Sequence, residues 1–103
     1  MPFLKLFRDR FYLGILPIGG DGMERSFDNT ERKENLAYAI GYYRKKKGYS
    51  QEQLAEELGI SRQHLASVEA RGMSRGLSLD LLFNIAAVLE IEPYMLLKFR
   101  IET

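Results

Sequence analysis

The sequence predicts an all-α protein of five helices, and three observations carry that prediction. From residue 30 onward, apolar residues recur three and four positions apart, the spacing that lines one face of a helix. Ser50, Ser61 and Ser78 each follow an apolar residue and precede another by four positions, in the pairs Tyr49 with Leu54, Ile60 with Leu65, and Leu77 with Leu82. A serine there can accept from the free N–H groups of a first turn while the apolar pair closes over it as a hydrophobic staple. Helix-ending signals complete the pattern: Gly48 and Gly59 follow helical runs, and Pro93 sits where a first turn tolerates proline.

Helix one is expected from Thr30, with Leu36, Ala37, Ile40 and Tyr43 on one stripe and Gly48 near its stop. Helix two follows Ser50, whose spacing to Gln53 fits a capping box, and turns Leu54, Ala55 and Leu58 inward. Helix three follows Ser61 and carries Leu65 and Val68; helix four follows Ser78 and carries Leu81, Leu82, Ile85, Ala86 and Leu89. A short fifth helix opens at Pro93 and runs through Leu96 and Leu97. Residues 30–98 thus form the domain, with an arm at 1–29 and a tail at 99–103.

The arm has a different composition. Residues 1–22 mix aromatic and aliphatic side chains with Lys5, Arg8 and Arg10, then meet the breaker Gly19, Gly20, Asp21, Gly22. Phe3, Leu4, Phe7 and Phe11 suit a helix face, and residues 11–18 suit a strand equally well. Their apolar stretch is short and no small-residue cleavage site follows, which disfavours a signal peptide. Met23 is a second candidate translational start.

A chain of 103 residues supports one small core and argues against a multi-step enzyme. The absence of cysteine removes disulfides and thiolate chemistry and fits a reducing cytoplasm. No apolar run approaches the roughly 18 residues that cross a bilayer, so the expected protein is soluble, cytoplasmic and without a membrane partner. The net charge is only +1, but charge is sorted along the chain. Arg44, Lys45, Lys46 and Lys47 end helix one, Arg62, Arg71 and Arg75 surround helix three, and Glu52, Glu56 and Glu57 occupy helix two. Such a basic face suits phosphate, although cations at a helix C-terminus also answer its dipole.

Residues 50–69 read as two short helices broken once at Gly59 and restarted at Ser61, the layout of a helix-turn-helix. The spaced set Arg44, Gly48, Ser50, Gln51, Leu54, Ala55, Leu58, Gly59, Ser61, Leu65, Val68, Glu69, Leu82, Ile85, Ala86 and Leu89 closely resembles the Cro/CI-type family of phage repressors and their bacterial relatives, the XRE family. The resemblance spans about residues 34–98 and implies a compact five-helix, lambda-repressor-like domain that binds operator DNA as a dimer. The chain departs from the family pattern twice: Glu90 stands where glycine is common, and the glycine after Glu69 comes only at Gly72, so the loop to helix four is expected to take a different path.

By this resemblance Arg44 pairs with Glu69, tying helix one to the end of helix three; exposed, the pair would contribute about 1 kcal/mol or less. Helix three would lie in the major groove and helix two across the backbone. Arg62, Gln63, Ala66 and Ser67 are then the candidate base readers: Arg62 for guanine, Gln63 for adenine, Ala66 for a thymine methyl, and Ser67 for either kind of base. Gln51, His64, Arg71, Ser74 and Arg75 are the candidate phosphate ligands, with Lys46 or Lys47 adding attraction at longer range. His64 lacks the companions that a metal site or a catalytic triad needs, so no metal, cofactor or catalytic residue is expected.

The expected function is a sequence-specific transcriptional regulator, most often a repressor, with double-stranded DNA as its ligand and a second copy of itself as its partner. Residues 11–18 and 94–101 are the apolar candidates for pairing the copies. The alternative is an antitoxin that represses its own operon while its arm or tail holds a toxin protein.

Overall fold

The computed structural model describes residues 27–71 and 76–101. The expectations for residues 1–26, for the start of the chain and for the path of the loop after Glu69 fall outside these limits. Five helices follow one another among the described residues: α1 Thr30–Lys47, α2 Gln51–Leu58, α3 Arg62–Glu69, α4 Leu79–Leu89 and α5 Pro93–Lys98.

The boundaries come from local chemistry. Ser50, Ser61 and Ser78 all cap as expected, each hydroxyl accepting the backbone N–H three residues on, at 3.0, 3.0 and 3.1 Å. The Gln53 side chain returns the bond by accepting from Ser50 N–H at 2.8 Å, closing the capping box. At the other ends α1, α2 and α4 share one device, a left-handed residue whose own N–H and that of the residue after it turn back to donate to carbonyls of the last helical turn. Gly48 and Gly59 supply it at φ 88° and 73°. Glu90 supplies it for α4 at φ 58°, a left-handed conformation that side chains ordinarily disfavour. The residues that follow, Tyr49, Ile60 and Ile91, pack on the core as apolar plugs.

That core is one cluster in which Ile40, Leu54, Leu65, Val68, Ile85 and Leu96 are fully enclosed. Helix α2 packs on α3 and α4, while α1 runs behind α3, α4 and α5. The described part of the C-terminal segment lies on α1. Phe99 stacks among Tyr38, Tyr42 and Tyr43 with ring centroids 5.3 to 6.1 Å away, and Ile101 N–H donates to the buried Asn35 Oδ1 at 3.1 Å. Within residues 94–101, Leu96 faces the core, whereas Tyr94, Leu97 and Ile101 are exposed.

Candidate nucleic-acid interface

The presentation of α3 begins with what it hides. Leu65 and Val68 are fully buried, which fixes the rotation of an eight-residue helix about its axis and decides which side chains reach outward. Arg62 and Gln63 in the first turn are exposed, while His64, Ala66 and Ser67 are half-buried. Ser67 Oγ donates to the His64 carbonyl at 2.7 Å, so in this rotamer its hydroxyl can accept from a base amine but has no proton left to give.

Beneath this turn lies a hydrogen-bonded chain that joins α1, α2 and α3. Arg44 Nε donates to Glu69 Oε2 at 2.7 Å, Nη2 to Oε1 at 3.0 Å, and Nη1 to the Tyr49 carbonyl at 2.9 Å. The pair is bidentate, and both side chains are more than nine-tenths buried. Loss of either partner would therefore cost more than at the surface, because the other would be left buried without water to fall back on. Gly41 makes room for it: a Cβ at that position would stand 3.3 Å from Glu69 Oε1.

Gln51 continues the chain, donating from Nε2 to Glu69 Oε1 at 3.1 Å and accepting at Oε1 from Arg62 Nη1 at 3.2 Å. Sequence reasoning assigned Gln51 to phosphate alone. The structure also makes it the link between a buried ion pair and the first residue of α3, leaving one side-chain amide proton and the free N–H groups of the first turn directed elsewhere. The spacing of 11 and 18 residues between partners explains why no local pattern revealed this role.

The basic run at the end of α1 divides in the fold. Arg44 turns inward, Lys47 pairs with Glu90 at 2.8 Å, and Lys45 and Lys46 remain exposed, Lys46 lying 5.8 Å from the centre of the Tyr42 ring. Arg71 donates to Glu34 Oε2 at 3.1 Å from a side chain that is 88% exposed, a pairing that water screens and a phosphate can exchange. Ser74 and Arg75 lie outside the described residues. Among the described residues no cluster of three metal-type ligands forms, and no helix is long and apolar enough to cross a membrane.

The sequence model of the Helix-turn-helix family matches residues 40–96. SinR of Bacillus licheniformis, an HTH-type transcriptional regulator, is 39% identical over 68 residues, a match that covers 66% of this chain and 60% of that protein. The chain thus spans less than two thirds of the relative's length. Among solved structures, the restriction-modification controller protein C.AhdI from Aeromonas hydrophila superposes with a TM-score of 0.56 at 36% identity, covering 61% of this chain and 92% of that one. SinR, a master regulator for biofilm formation solved in complex with DNA, gives the same score and identity and covers 61% of this chain and 98% of that one. Such a match, over more than half of the chain and on the same capped helices, makes this protein a member of the Cro/CI-type (XRE) helix-turn-helix family.

Proposed function

We infer that the protein is a sequence-specific DNA-binding transcriptional regulator acting in the cytoplasm, with α3 in the major groove of its operator. The observation that carries this reading is the first turn of α3, where exposed Arg62 and Gln63 stand on a helix whose other side is fully anchored by Leu65 and Val68. Gln63 can pair with both groups that adenine offers in the groove, and Arg62 with guanine. Ala66 and the accepting hydroxyl of Ser67 line the next turn. Backbone contacts fall to the start of α2 at Gln51, to His64, to Arg71 when it leaves Glu34, and to Ser74 and Arg75. SinR, similar to this chain and solved in complex with DNA, supports the reading.

A single α3 covers half of an ordinary operator, so the proposed species is a homodimer with its two readers about 34 Å apart. Leu79 and Phe83, four residues apart on α4, and Tyr94 on α5 are exposed and supply apolar surface for pairing. Occupying a promoter in this way excludes polymerase, which makes repression the favoured outcome. The test is a set of titrations on operator and scrambled duplexes at several salt concentrations. Gln63→Ala is expected to lower the preference for the operator by about 1 to 3 kcal/mol. Arg75→Ala is expected to weaken binding to all DNA alike and to reduce the salt slope by about one. Equal losses on both duplexes for both variants would refute the assignment.

A further inference from the structure

A second charged site lies at the other end of α1. Arg32 and Lys33 of α1 and Arg100, just beyond α5, converge on a cavity of about 210 Å³ whose apolar lining is Leu36 and Leu97. Leu36 is half-buried and Leu97 is 57% exposed. Among the described residues none of the three cations takes part in an ion pair, and Arg32 reaches only Asn29 Oδ1, at 3.5 Å.

Arg100 is held there by its neighbours. Phe99 is fixed among the tyrosines of α1, and Ile101 N–H is bonded to buried Asn35, so the backbone on both sides of Arg100 is anchored. Three like charges gathered on one exposed cavity make a local positive field that favours an anion, most strongly at low salt. The leucines add a second requirement, because a free phosphate has no apolar surface to cover them and an aliphatic side chain does.

We propose that this cavity is a docking site for an acidic protein segment that carries an aliphatic side chain between carboxylates. The aliphatic group covers Leu36 and Leu97 while the carboxylates meet Arg32, Lys33 and Arg100. Arg32 and Arg44 are separated by about 18 Å of helix, and Arg44 is bonded to the last residue of α3. A partner seated here leaves Arg62 and Gln63 free, so the site neither requires nor blocks DNA.

The test uses the full chain with labelled leucine methyl groups and a capped peptide in which two glutamates flank a leucine on each side. Saturable shifts of the Leu36 and Leu97 methyls are expected. Binding should weaken about tenfold or more when glutamines replace the glutamates, and likewise for Arg32→Glu and Lys33→Glu, exposed substitutions expected to leave the melting temperature unchanged. The proposal is overturned if these methyls show no saturable shift or respond equally to the glutamine peptide. It also fails if they shift on dilution of the free protein, as a contact between copies would, or if a random duplex moves them instead.

Discussion

Arg44 and Glu69 show how much depends on where a charge is placed. With Glu69 removed, the Arg44 guanidinium keeps Tyr49 O but loses both carboxylate bonds in a site that is less than one-tenth exposed. Glu69→Ala is therefore expected to destabilise the fold by about 3 to 5 kcal/mol in chemical denaturation, the range for breaking a buried pair from one side. Gln51→Ala removes only the half-buried link between Glu69 and Arg62. It should cost about 1 kcal/mol or less of stability while loosening the base preference at the position proposed for Arg62, measured by selecting sites from random duplexes. Glu90 is the contrasting exposed case. The hydrogen bond from Lys47, reinforced by its charge, lowers the Glu90 carboxyl below its ordinary value of 4.5. A group depressed in the folded state contributes stability that is present above 4.5 and lost as the pH falls through the folded value. Glu90→Gln should therefore flatten that acidic limb of the stability profile. Glu90→Gly should raise the melting temperature at neutral pH, because relief of a left-handed side-chain conformation outweighs a screened surface pair.

At the scale of the element, the turn between α2 and α3 works because both of its ends are closed by local signals. Gly59 finishes one helix, Ile60 plugs the core, and Ser61 caps the next within three residues. Ser61→Ala should cost about 1 kcal/mol. The loss should concentrate in faster hydrogen exchange through the first turn of α3, where Arg62 and Gln63 are displayed. This chemistry was legible in the sequence because a cap, a staple and a glycine stop each depend on neighbours within a few residues. The three serine caps and the two glycine stops could therefore be read before any tertiary contact was known. Arg44 with Glu69 was reached only through the family resemblance, since nothing local joins residues 25 apart, and its burial was not visible at all. The same separation concealed the Gln51 bridge, the pinning of Ile101 by Asn35, and the inward turn of Arg44 within a run of four cations. Burial also altered the proposed reader: Ala66 and Ser67 are half-covered, so Arg62 and Gln63 are the more open part of the set.

Across the whole molecule, a nearly neutral chain separates its charge into regions with different neighbours. The first turn of α3 presents an arginine and a glutamine on a rigid base, and at the far end of α1 Arg32 and Lys33 meet Arg100 with no ion pair among the described residues. The first arrangement suits a duplex read along its edges and the second suits an acidic protein, so the two surfaces should be separable by mutation. Arg32→Glu is expected to leave the operator preference intact, and Gln63→Ala to leave peptide binding at Leu36 and Leu97 intact. The proposed division of surfaces depends first on α3 reading base sequence. The most direct measurement of that reading is a titration of the wild-type chain and of Gln63→Ala against a duplex selected from a random pool and against the same duplex scrambled, repeated across salt concentrations. Tight, salt-dependent binding is expected, in which wild type prefers the selected duplex and Gln63→Ala loses most of that preference with its salt slope unchanged. Failure to retain any duplex, or a preference that survives Gln63→Ala undiminished, would contradict it.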